Sequence, residues 1–170
     1  MRVMELLAPP HSHILSAAEG WLELGNLVEA QAELTRMEEP LQNHPQVLSV
    51  RWAICAQEKN WPAALELARQ LVQLVPESPF GWLHQAYALR RVADGGLQAA
   101  WDALLPALEK FPQLALIPYN LACYACQLQQ LEKARELLQR ALKTGEKQQI
   151  KRIALEDPDL QPLWIEIREL

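Results

Sequence analysis

Four short stretches of this chain restate one another. Gly25-Asn26-Leu27-Val28-Glu29-Ala30, Lys59-Asn60-Trp61-Pro62-Ala63-Ala64, Gly95-Gly96-Leu97-Gln98-Ala99-Ala100 and Gln129-Gln130-Leu131-Glu132-Lys133-Ala134 each join a turn to the start of an amphipathic stretch. Their closing alanines, Ala30, Ala64, Ala100 and Ala134, stand 34, 36 and 34 residues apart. A period of that size is one helix–turn–helix unit, too small to bury its apolar face except against neighbours of the same kind. Stacked helical hairpins are the expectation. Residue usage agrees, because Leu, Ala, Glu and Gln dominate and Gly occurs only 6 times in 170 residues. Those abundant side chains lose least on entering a helix, so the chain reads as all-α.

Charge and cysteine usage narrow the function classes. The net charge is −5, and Lys and Arg cluster no further than the pairs Arg90-Arg91 and Lys151-Arg152. Phosphate neutralisation needs more than that, so no nucleic-acid partner is expected. The opening MRVMELLAPP is too short, and too interrupted by Glu5, for a secretory signal. No apolar run approaches the roughly 20 residues of a membrane helix, so no membrane partner is expected. Three cysteines, an odd number, argue against a disulfide framework and for a reducing compartment. A cytoplasmic protein is the expectation.

The period and its residues resemble the tetratricopeptide-repeat (TPR) family. Four repeats fall at 11–44, 45–78, 79–114 and 115–148, with a two-residue insertion at Asp94-Gly95-Gly96. An N-terminal segment, 1–10, precedes them, and 149–170 follows as a C-terminal cap of the same domain. In the family's pattern the opening position falls on Ile14, Leu48 and Trp82, and the small residue at the helix crossing on Ala18, Ala86 and Ala122. Apolar second-helix positions fall on Leu34, Ala68, Leu104 and Leu138, then on Met37, Leu71, Ala107 and Ala141. Pro76 and Pro112 end their repeats, since proline has no N–H to continue a helix. The resemblance implies a right-handed superhelical α-solenoid of about four TPR hairpins with a capping helix.

Some positions depart from the pattern. Trp52 stands where a small residue is expected, which leaves Ala53 or Ala56 to make the close contact of repeat two. Pro118 replaces the opening aromatic of repeat four, and Gln42 stands where repeat one should end in proline. In the last segment, Asp157 or Asp159 can N-cap a helix, with a proline in its first turn. Leu163, Trp164 and Ile167 are expected over repeat four. YNLACYACQL followed by DPDLQPLW resembles small bacterial TPR proteins with this ending, a resemblance that implies no defined activity.

Candidate chemistry is sparse. Cys123-Tyr124-Ala125-Cys126 puts two thiols on one helix face, but a structural zinc site needs four N or S ligands. The other candidates, Cys55, His11, His13, His44 and His84, lack ligand spacing apart from His11-x-His13 at the far end of the array. A redox pair of the thioredoxin kind needs a βαβ context. Wall packing is therefore the reading of Cys123 and Cys126, with metal-binding or redox use as the less favoured alternative. Glu38-Glu39 and Glu156-Asp157-Asp159 read as caps and surface. Nucleophile elbow, phosphate loop and H-E-x-x-H are all missing, so neither a catalytic residue nor a cofactor or metal is expected. Trp21, Trp52, Trp61, Trp82 and Trp101 fall at or near repeat core positions and read as structural.

In the family the first helices line a concave surface, and this carries function to the groove. Transferred residue by residue, the groove positions include Ser12, Leu15, Glu19, Leu22 and Glu23 in repeat one. Repeat two supplies Gln46, Ser49, Ala53, Ala56 and Gln57. The partner-binding candidates are Phe80, Leu83, Tyr87, Arg90 and Arg91 of repeat three with Leu116, Tyr119 and Cys123 of repeat four, whose groove positions also include Cys126 and Gln127. The spacing 80, 83, 87, 90 independently puts those residues on one helix face. Apolar anchors beside two arginines suit a peptide with an acidic group. The carboxylate clamp for chaperone tails is not reproduced. Its positions hold Leu15, Glu19, Val50, Phe80 and His84 when counted from repeat one, and Ser49, Ala53, His84, Leu116 and Asn120 from repeat two. The expected function is a non-enzymatic adaptor binding a peptide or protein segment in the groove. The alternative is a TPR chaperone for a secreted or unstable client.

Overall fold

A computed structural model describes residues 6–169; residues 1–5, Glu5 among them, and Leu170 lie outside the described residues. Every regular element among the described residues is helical. None of these helices is long and apolar enough to cross a membrane. The chain divides after Ala88 into two compact units.

The first unit holds α1 (His11–Glu23), α2 (Leu27–Thr35), α3 (Pro45–Gln57), α4 (Trp61–Leu74) and nearly all of α5 (Pro79–Leu89). Helices α1 and α2 pack as one hairpin, and α3 and α4 as the next. Ala18 and Ala30 are wholly buried, and around them sit Leu15, Leu34, Met37, Val47, Val50 and Ile54. Small residues at the crossing let the backbones close, and large ones fill the grooves beside them. The same logic brings α5 onto α4. A Cβ on Gly81 would lie 2.9 Å from the Val72 backbone nitrogen, so this contact requires glycine.

A three-residue turn sets the α1–α2 and α3–α4 hairpins, and recurs once in the second unit. Gly25 has φ +74°, and its N–H donates to Leu22 O while Asn26 N–H reaches back to Trp21 O. Lys59, at φ +58°, repeats this with Ala56 O, and Asn60 N–H with Cys55 O. In the second unit Gln129, at φ +62°, donates to Cys126 O and Gln130 to Ala125 O. This is the Schellman closure of a helix. The residue after it opens the next helix at once: the Asn26 side chain accepts from Glu29 N–H, and Asn60 from Ala63 N–H.

The second unit holds α6 (Leu97–Leu104), α7 (Ala107–Lys110), α8 (Leu116–Gln127), α9 (Leu131–Thr144) and α10 (Lys147–Glu156). A 3₁₀ turn, Pro158–Leu163, and α11 (Trp164–Glu169) complete it. The second helix of repeat three is interrupted at Pro106, so α6 and α7 are separate pieces. The inserted turn before α6 is closed by Gly96 N–H to Leu89 O; a Cβ on Gly95 would fall 2.0 Å from that same oxygen. On α9, Ala134, Leu137, Leu138 and Ala141 form the buried stripe that faces α8.

The pattern positions largely hold. Ala18, Ala86 and Ala122 are fully buried, and all eight second-helix positions from Leu34 to Ala141 lie in the core. The aromatic expectations need correction. Only Trp101 of the tryptophans is buried, and Trp21 is exposed. Trp52 does not enter the α3–α4 crossing but stacks on His84 of α5, with centroids 3.7 Å apart. Ala53 and Ala56 stay half-buried, while Ala64 and Ala68 of α4 are wholly buried and supply the small residues of this pair. Leu163 and Ile167 are buried and border a small cavity with Leu138 of α9. Trp164 instead turns to α10, its Nε1 donating to Ala154 O at 2.9 Å, and Leu160 is the further fully buried residue of this segment.

Candidate functional site

Among the described residues of the first unit the first-helix face is open beside α5, while Gln46 of α3 accepts the Leu7 N–H of the N-terminal segment at 2.9 Å. Glu19 of α1, Gln46 and Ser49 of α3, and Phe80 and His84 of α5 border a depression of about 290 Å³, floored in part by Leu71. Phe80 is 60% exposed and Tyr87 is 40% exposed, which is unusual for aromatic side chains, whereas Leu83 is half-buried. Behind them lies an aromatic group. Tyr87 sets its edge towards Trp52 at 6.1 Å and Trp61 at 5.7 Å, and Phe80 tilts over His84 at 6.4 Å. Burial pushes the His84 imidazole down to about 4, so it is neutral at neutral pH. His84 Nδ1 and Trp52 Nε1 are buried without a hydrogen-bond partner.

In residues 89–170 the corresponding face of α8 is covered by the chain itself. Asp157, which also caps the 3₁₀ turn through Asp159 N–H at 3.0 Å, accepts the Tyr119 hydroxyl at 2.9 Å. The Cys123 thiol donates to the same Asp157 oxygen at 3.4 Å. Asp159 takes a two-point contact from Arg90, one arm at 2.8 Å, and its backbone carbonyl accepts from Gln127 Nε2 at 2.9 Å. The hydrogen bond to Asp159 raises the Arg90 pKa further, and the guanidinium also lies 5.8 Å from the Tyr124 ring centre. Burial first, then the neighbouring carboxylates, push the Cys123 thiol up; burial and its charged neighbours do the same to the Tyr119 hydroxyl. Both groups stay protonated and act as donors.

The sequence-derived site residues thus have different surroundings. Tyr119 and Cys123 are buried under the Asp157 turn, Arg90 is paired with Asp159, and Cys126 is fully buried. Leu116 is 44% exposed, and Arg91 is exposed as well. From sequence, the acidic turn that meets Arg90 reads only as a helix cap. Its signal is two carboxylates flanking Pro158, remote from Arg90 in sequence.

One donor set for a cation exists among the described residues: Cys123 Sγ with oxygens of Asp157 and Asp159, all within 4.8 Å of one another. It differs from the Cys123 and Cys126 pair considered from sequence. Each donor already has a partner, and the thiol is held in its protonated form. A metal would have to displace Arg90 and deprotonate the thiol, so the residues fit a hydrogen-bonded lock better than a coordination site.

Solved structures share this arrangement of helices. A thermophilic TPR protein of Thermus thermophilus, TTC0263, matches with a TM-score of 0.72 and 20% identity over 92% of this chain and 82% of its own. MamA from residue 41 to its end, from Desulfovibrio magneticus RS-1, matches with a TM-score of 0.69 and 17% identity over 97% of both chains. A further MamA structure gives 0.67 at 17% identity over 88% of this chain and 89% of its own. No family model and no curated protein matches the sequence. The class is thereby defined: an all-α helical-repeat fold of the tetratricopeptide type.

Proposed function

We propose that the chain is a protein-interaction module that takes a peptide or protein segment on the open first-helix face of residues 1–88. Phe80, Leu83 and Tyr87 are the proposed contact residues of that face. The observation that carries the reading is the exposure of Phe80 at the rim of a concave depression. Helical repeats use such concave surfaces for binding, and an aromatic anchor set in a pocket carries much of an interface's energy. Leu116 and Arg91 remain proposed contacts of the second unit. Arg90, Tyr119 and Cys123 are assigned instead to holding the Asp157–Asp159 turn. The proposal includes neither a catalytic step nor a cofactor. A cytoplasmic setting belongs to it, supported by three free cysteines.

The test is capture from lysate with three folded proteins: the unaltered chain, Phe80→Ala/Tyr87→Ala, and Ile165→Ala as a surface control. A partner kept by the first and third and lost by the second supports the groove. Equal recovery by all three would move the interface elsewhere.

A further inference from the structure

The open groove of residues 1–88 has an electrostatic character of its own. Residues 1–88 carry five Lys or Arg against ten Glu, whereas residues 89–170 carry eleven of each sign, so the entire net charge of −5 belongs to the first unit. Glu19 stands exposed on the groove wall and has no ion-pair or hydrogen-bond partner among the described residues. No Lys or Arg occupies a first-helix groove position in the first two repeats, whereas Glu19 and Glu23 do. None of the described Lys or Arg residues of this unit lines the depression. Arg36 and Arg69 each pair at 2.6 Å with a glutamate three residues earlier on their own helices, and Arg51 is held by Gln42. His84, the basic group on the wall, is half-buried and neutral at neutral pH.

We infer that this groove takes a cationic–apolar segment of a partner protein, one with Lys or Arg beside an aromatic or large aliphatic side chain. The inference rests on the groove reading above and names the chemistry of its ligand. The apolar residue enters beside Phe80, and the cation meets Glu19 at the wall. A volume of about 290 Å³ sits at the lower limit for small-molecule pockets, roughly 300–1,000 Å³, and suits one or two side chains better than a cofactor. The second unit shows the opposite pairing within one molecule: where the face presents Arg90, the segment lying on it is acidic. An acidic segment at Glu19 would face repulsion with no Lys or Arg in the lining to answer it, and like charges juxtaposed across an interface suppress the wrong partner.

The experiment is a selection of random dodecapeptides displayed on phage against the full chain, followed by anisotropy titration of the enriched peptides. The expected winners carry Lys or Arg next to Phe, Trp, Tyr, Leu or Ile. Exchanging their cations for Glu should weaken binding about tenfold or more, and Glu19→Lys several-fold. Phe80→Ala should weaken them irrespective of charge; both variants alter exposed side chains, and circular dichroism confirms that they fold. Winners that are acidic or uncharged, yet still depend on Phe80, overturn the charge assignment and leave the groove standing. Winners indifferent to Phe80→Ala, or no enrichment at all, overturn the groove reading and this inference with it.

Discussion

Helices α3 and α5 in the first unit and α8 in the second come from the same repeat pattern, yet they meet opposite fates. Nine of the twelve residues of α8 are buried, whereas only Gly81, Ala86 and Ala88 of α5 are. The difference does not arise within the helices. It comes from the Asp157–Leu160 turn, which lies on α8 and turns its hydroxyl and thiol into internal donors. On α5 no turn among the described residues covers Phe80, which is 60% exposed. Equal positions in a repeat are therefore not equal binding positions: what a face can bind depends on whether another part of the chain already occupies it.

The contrast can be broken most forcefully at Leu160. Leu160→Ala empties a fully buried site and should cost about 2–5 kcal/mol in urea unfolding. It should also speed amide exchange along α8 while leaving α1–α4 unchanged. On the open side, His84 gives a pH handle. Its folded pKa, near 4, lies below the unfolded value of about 6.5, so the unfolded state binds its proton first as pH falls. Stability should be complete above about 6.5 and decline towards 4, by at most about 3 kcal/mol. His84→Phe should remove that part of the slope; identical pH profiles would show that the ring is not shut away from water. Next comes the lock. Arg90→Ala strands Asp159 and should cost about 1.5–3 kcal/mol, and Arg90→Lys should restore only part, since an ammonium cannot make the two-point contact.

Smaller effects sharpen the picture. Lys59→Gly and Gln129→Gly should each stabilise by about 1 kcal/mol, one in each unit, because both residues hold positive φ. Phe80→Ala should shift the unfolding midpoint least, within about 0.5 kcal/mol, because the ring is exposed. A large loss there would mean that Phe80 belongs to the core rather than to a binding face.

How much was legible follows from what a period can encode. Ala18, Ala86, Ala122 and the second-helix positions could be read because hairpin packing recurs every 34 or 36 residues and imposes the same size requirement each time. Turn chemistry was visible too, in Gly25-Asn26 and Lys59-Asn60. Pro106 was in plain view, yet the regular spacing of Leu104 and Ala107 suggested one unbroken helix. The covering of Tyr119 could not be read in the same way. It joins residues 38 positions apart, along a tail whose path no repeat dictates. Trp52 shows a related limit: its bulk marked a departure from the pattern, but only its contact with His84 says where the ring goes.

The three-residue hairpin turn has a consequence for how such a chain can change over generations. Its middle residue must turn left-handed, and the residue after it both closes one helix and opens the next, so no position in it is idle. An added residue would separate those two duties, and a deleted one would remove one of them. A change of length in the turn therefore demands a different closure. The one insertion found, at Asp94–Gly96, was accommodated by a different closure, with a glycine where even a methyl group would collide with the Leu89 carbonyl. Substitutions on the groove face meet no such restriction. Residue identity there is free to drift while the turn stays the same.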